Sequence, residues 1–221
     1  MGLLDVRTPP RCDACPGGAR AYSVDGGGSS HGTLDGVTFP LPVAAVSAAE
    51  LVGYLADPHR RVVAYRLLLQ RGAGAREAVC RGLGHSDPHV RAECCRILDH
   101  IMDTESVVAL VGALSDPADE VRVQALHALA CERCKDGQCR PAPAMVLPGA
   151  LRLLSSDANT RVRTGAVELV AVWADSHPAA AAALAAAATA DPSPVVRKKA
   201  SWYIPGGTIY RRTHRSARDD H

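Results

Sequence analysis

Between about residues 45 and 203, apolar positions recur at helical spacing and the runs are separated by short polar breaks. In the stretch 116–129, Val121, Ala125, Leu126 and Leu129 follow at intervals of four, one and three residues, which puts them on one side of a helix. Arg122 sits at the edge of that stripe. The Asp116-Pro117 step before it reads as a helix break, because proline fits a first helical turn and cannot continue a preceding helix. The phrase returns as Asp87-Pro88-His89-Val90-Arg91, as Asp157-Ala158-Asn159-Thr160-Arg161-Val162-Arg163, and as Asp191-Pro192-Ser193-Pro194-Val195-Val196-Arg197. A fainter copy is Asp57-Pro58-His59-Arg60-Arg61-Val62. The Asp-to-Asp steps are 30, 29, 41 and 34 residues.

The first helix is predicted to start at Ser47, where Ser47-Ala48-Ala49-Glu50 forms a capping box. Further helices are predicted over about 62–72, 75–83, 90–101, 107–114, 121–130, 145–154, 162–173, 178–188 and 195–203. Each carries an apolar stripe that only a neighbour covers, so the units are expected to stack into one continuous core, with the second helix of each pair lining a concave face. The fold class is therefore all-α: an α-solenoid of about five helical hairpins over 45–203. A Gly/Pro-rich irregular leader is expected over 1–44, and a C-terminal cap with a basic tail over 204–221. In the cap, Pro205-Gly206-Gly207 stops the last helix and lets Ile209 and Tyr210 fold back over its end near Trp202.

The Asp-Pro turns at 57, 87, 116 and 191, the apolar helix 107–114 and the Val-Arg pairs at 90/91, 121/122, 162/163 and 196/197 resemble HEAT repeats. They are most similar to the short-period bacterial branch that includes phycobilin-lyase-like repeats. Two features depart from the family pattern. The shortest steps fall below the roughly 40 to 47 residues usual for HEAT units, and Asp-to-Arg is four residues at 57 and 87 but six at 116, 157 and 191. Such a repeat implies an architecture and no particular chemistry. A role in attaching bilins is implied by the resemblance alone, with no residue pattern behind it.

Composition narrows the function classes. Aromatics make up 4% of the chain, which argues against a stacking surface for single-stranded nucleic acid. The formal charge of +2 selects no partner, and part of the positive charge lies at Arg211, Arg212, Arg215 and Arg218. No run of about 18 apolar residues is present, so no membrane span is expected. Without a basic-then-apolar start the chain is expected to be cytoplasmic, where thiols stay reduced.

Eight cysteines then need a role. Cys80, Cys94 and Cys95 fall on predicted helices and are expected in the core. Cys131-x2-Cys134-x4-Cys139 is the sharpest local signal, since two thiolates three residues apart can share an ion and a third can close the site. The remaining ligand would come from Cys12-x2-Cys15 or from a histidine such as His127, giving a structural zinc site. Free thiols, a Cys131–Cys134 or Cys134–Cys139 disulfide, and a redox dithiol are the other readings of that loop. His59, His85 and His89 fall at the first turns and read as solvated.

A base-excision enzyme on a helical-repeat scaffold would need Trp, Asp and Arg on a basic face, with Trp173, Asp175, Trp202 and Arg163 as candidates. Trp173 and Asp175, two residues apart, point to different sides of a helix. The repeat arginines are expected to be spent elsewhere, in a structural ladder of Asp87, Arg91, Asp116, Arg122, Asp157, Arg163, Asp191 and Arg197. The expectation is a non-enzymatic interaction scaffold for a protein or peptide partner. DNA binding is the rival, and a metal or redox role at the cysteines a third reading.

Overall fold

Ser47 starts the array as its sequence dictates: its side chain accepts from the Glu50 amide at 3.2 Å, and the Glu50 carboxylate accepts from the Ser47 amide at 2.7 Å. The computed structural model describes residues 32–34, 36–39, 43–131 and 141–214. Five helix pairs follow that cap. They are α1 (Ala48–Tyr54) with α2 (Arg61–Arg71), α3 (Arg76–Gly82) with α4 (Pro88–Ile101), α5 (Thr104–Ala113) with α6 (Asp119–Ala130), α7 (Pro143–Ser156) with α8 (Thr160–Ala171), and α9 (Pro178–Ala190) with α10 (Pro194–Ser201). Proline stands in the first turn of α4, α7, α9 and α10, where its missing N–H costs no helical bond.

The odd-numbered helices of these pairs form one layer and the even-numbered ones the other, each helix packing on its pair partner and on its counterpart in the next pair. The second layer is the tighter one in the middle of the array, with α4 against α6 and α6 against α8 making the most extensive contacts. One continuous core runs from Phe39 to Ala200, built almost wholly of Leu, Val, Ile and Ala. Val90, Val121, Val162 and Val196 occupy equivalent positions at the start of successive second-layer helices, and all four are fully buried.

Small residues set the spacing. A Cβ added at Gly82 would lie 2.5 Å from Cys94 Sγ and 2.8 Å from Val52 Cγ1, so α3 sits where no larger residue fits against α1 and α4. Such close stacking accounts for the scarcity of aromatic residues in the core.

Both ends differ from the sequence expectation. Within the stretch expected to be an irregular leader, β1 (Gly32–Leu34) pairs antiparallel with β2 (Val37–Phe39). Gly36 supplies the positive φ of the turn between them. Phe39 is fully buried and meets Tyr54 edge to face, with ring centroids 5.4 Å apart. The hairpin thus covers the open end of the first pair. At the other end the amides of Ile209 and Tyr210 donate to the Trp202 carbonyl at 3.0 and 2.9 Å, as a fold-back requires. The chain then forms a short helix, α11 (Thr208–His214), on which Arg211 and Arg212 are exposed. The Tyr210 and His214 rings stack along it, and His214 Nε2 reaches Asp175 at 3.1 Å. No helix among the described residues is long and apolar enough to cross a membrane.

Candidate functional site

Two charged constellations occupy opposite ends of the second-layer helices. The first is a ladder at their N-terminal ends. Arg122 Nη1 donates to the carbonyls of Asp116 and Pro117 in its own turn at 2.8 and 3.1 Å. The other edge of its guanidinium forks onto Asp157 of the next turn, at 2.8 and 3.1 Å. Arg163 repeats this, holding the carbonyls of Asp157 and Ala158 and forking onto Asp191 at 2.9 and 3.1 Å. Arg91 does the same from the carbonyls of His85 and Ser86 to Asp116, at 2.7 and 2.8 Å. Each aspartate also accepts from the amide two residues on, at Ala118, Asn159 and Ser193. Every rung thereby fixes two turns and joins two hairpins. Arg197 holds the carbonyls of Asp191 and Pro192 and ends the series, with no further aspartate turn beyond it among the described residues.

The geometry corrects the register at the second turn. In each rung the arginine holds the carbonyl six residues before it, so the counterpart of Asp116 is His85 and not Asp87. His85 Nδ1 accepts from the Asp87 amide at 3.0 Å, standing in for the missing carboxylate. Asp87, expected on the ladder, is instead the N-cap of α4, accepting from the His89 amide at 2.9 Å. The turn at 57 carries no arginine–aspartate rung: Asp57 pairs with Arg60 of its own turn at 3.2 Å, the position six residues on is the buried Val63, and Arg61 instead meets His89 Nε2 of the next turn at 3.0 Å.

Burial raises the Asp116 carboxyl, but the Arg91 hydrogen bond, the Ala118 amide and the nearby guanidinium charges outweigh it and hold the group below its ordinary range. Asp191 is lowered in the same way against its burial, by Arg163 and the Ser193 amide. The hydrogen bond to Asp191 in turn raises Arg163, and that to Asp116 raises Arg91. These arginines are engaged within the array. Of the other residues considered for base excision, Asp175 meets His214, and the Trp173 ring stands edge-on to His177 at 5.8 Å.

The second constellation lies at the C-terminal ends of α4 and α6. Cys131 follows the last turn of α6, its amide donating to the His127 carbonyl at 2.9 Å. Asp99, on α4, comes within 3.6 Å of His127 Nε2. One ligand-type atom from each of Asp99, His127 and Cys131 lies within 4.8 Å of the others. The remaining cysteines of the expected metal set, Cys12, Cys15, Cys134 and Cys139, lie outside the described residues.

Asp99 escaped the reading of the sequence, although the repeat carries a signal for it. Eight residues after the ladder arginine stand Ala130 in α6 and Ala171 in α8, but Asp99 in α4. Cys94 and Cys95 are fully buried in the core, and burial pushes the Cys94 thiol up to about 12 and raises Cys95 as well. Cys80 is half-buried rather than interior, with a thiol raised first by burial.

Between these constellations runs the outward surface of the second layer. Val62 is 55% exposed on α2, and Val195 is 59% exposed on α10. Arg96 lies over the Tyr65 ring at 5.2 Å and pairs with Glu93 at 2.9 Å. Lys199 pairs with Glu168 at 2.5 Å.

Residues 47–130 match the HEAT-repeat family profile. No curated protein matches the chain significantly. Among solved structures, the complex of CpcE and CpcF of phycocyanin lyase from Nostoc sp. PCC7120 superposes with a TM-score of 0.59 at 21% identity, covering 73% of this chain and 98% of that one. A designed armadillo repeat protein in complex with the peptide (KR)4 gives 0.48 at 21% identity, covering 71% and 80% of the two chains.

Proposed function

Because the chain is a HEAT-repeat protein, we propose that it is a non-enzymatic scaffold which holds a protein or peptide partner on the outward face of α2, α4, α6, α8 and α10. The observation that carries this is how the charges are distributed. Arg91, Arg122 and Arg163 are bound to aspartates within the array, which removes the concentrated positive charge that a nucleic-acid surface needs. The second layer also carries mutually paired charges, Glu93 with Arg96 and Glu168 with Lys199, and the exposed Val62 and Val195. Apolar anchors with a polar surround suit an extended chain or a helix laid across several repeats. The phycocyanin-lyase chains of like fold are seen as a complex with each other, which agrees with a protein partner.

Selection of linear peptides from a displayed random library against the full chain tests this. Enriched peptides are expected to lose binding at least tenfold to a Val62→Glu/Val195→Glu variant, and to keep it for Val108→Glu, a first-layer residue of comparable exposure. Peptides insensitive to the second-layer change would refute the assignment of the face. Retention of duplex DNA with a steep loss of affinity as salt rises would favour the nucleic-acid reading instead.

A further inference from the structure

Asp99, His127 and Cys131 form the one His/Cys/carboxylate group with this proximity among the described residues. We propose that they are the protein ligands of a zinc ion bridging α4 and α6. The set overlaps the thiolate loop expected from the sequence only at Cys131, and it draws the carboxylate from a different hairpin. Three observations carry it.

The first is the repeat itself. Where α6 and α8 place Ala130 and Ala171, α4 places a carboxylate that is 2% exposed, in the last turn of a helix whose C-terminal end is already partly negative. The architecture does not call for Asp99, which places a buried carboxylate beside His127 of the next hairpin.

The second is geometry. A tetrahedral ion with bonds of about 2.0–2.3 Å separates its ligand atoms by about 3.3–3.8 Å. The three atoms here lie within 4.8 Å of one another, and Nε2 is 3.6 Å from the carboxylate oxygen, so the separations are close to what such an ion needs. His127 and Cys131 stand four residues apart at the end of one helix, on the same side.

The third is chemistry. A carboxylate, an imidazole and a thiolate are all ligands that zinc accepts, and one thiolate with one carboxylate neutralises a divalent ion, leaving a buried site without net charge. The His127 side chain is 30% exposed and Cys131 is half-buried, so the group is reached from solvent.

Titration of the full, metal-free chain with Co2+ as a spectroscopic substitute for zinc tests the assignment. One equivalent is expected to bind with a sulfur-to-cobalt charge-transfer band and to be displaced by Zn2+. Cys131→Ser removes that band, and His127→Ala and Asp99→Ala each weaken binding at least tenfold. Asp99→Ala installs the residue found at the equivalent positions, so its folding is safeguarded, and circular dichroism checks this. Absence of Co2+ binding to the unsubstituted chain overturns the proposal. Full binding by His127→Ala and Asp99→Ala, with loss only in Cys134→Ser or Cys139→Ser, overturns it equally by placing the ion on the loop thiols alone.

Discussion

α4 and α6 carry buried charge at both ends, and the two ends obey different rules. At the N-terminal end, Arg91 and Arg122 each fork onto an aspartate of the following turn, every carboxylate oxygen is used, and the same geometry recurs at Arg163. At the C-terminal end, Asp99, His127 and Cys131 meet once, at positions the next helices fill with Ala171 and Val172 or leave to a different residue type. Recurrence marks the ladder as part of the architecture, because each hairpin needs its turn fixed to the next. Singularity marks the other group as an addition to it. The difference separates residues that build the array from residues free to acquire a task.

The strongest test of that difference removes a rung. Arg163 and Asp191 form the most enclosed pair, with side chains 8% and 5% exposed, and Arg163→Ala leaves a buried carboxylate without its partner. A loss of about 3 kcal/mol in urea unfolding is expected, with a similar or smaller loss for Arg122→Ala. Arg197→Ala, at the open end of the series, should cost about 1 kcal/mol or less, since only the two carbonyl contacts are lost.

Next in size is the close approach in the second hairpin. Gly82→Ala gains helix propensity of about 1 kcal/mol but forces Cys94 and Val52 apart, and a net loss of about 1–2 kcal/mol is expected from thermal or denaturant unfolding.

The pH dependence sharpens the contrast further. Asp116 and Asp191 are held below the ordinary carboxylate value of about 3.9, so their contribution is complete above that value and is lost as pH falls through their depressed folded values. Asp191→Asn should flatten the acid limb of a stability profile, whereas Asp99→Ala should leave the ladder's share of it unchanged. The smallest effect is expected for Asp99→Ala itself in metal-free protein. It is expected within about 1 kcal/mol of the parent chain, because alanine is the residue that α6 and α8 place at the equivalent position.

Much of the array was legible in the sequence because helix breaks and apolar stripes are local signals. Ser47 and Glu50, the Asp-Pro turns and the valine before each arginine define helix starts without reference to anything distant. The register at Asp87 was not legible, because Asp-Pro suits both an N-cap and a ladder turn, and only the bond from Arg91 to the His85 carbonyl distinguishes them. Asp99 was hidden for a different reason: it meets His127, which lies 28 residues away on another hairpin. The β1–β2 hairpin was obscured by the glycines and prolines around it, and it gains its order from Phe39 packing against Tyr54. α11 was masked by its basic residues, although Thr208–His214 is short enough to be held by Trp202 and Asp175 alone.

That successive hairpins are fastened through the arginine–aspartate rungs is tested most directly by a double-mutant cycle on Arg122 and Asp157, read by equilibrium urea unfolding. The pair spans the 41-residue step, so no local turn accounts for its coupling. A coupling energy of about 1.5–3 kcal/mol is predicted, with either single substitution costing nearly as much as both. Additive losses within about 0.5 kcal/mol would contradict the account, showing the rungs to be neighbours without energetic connection.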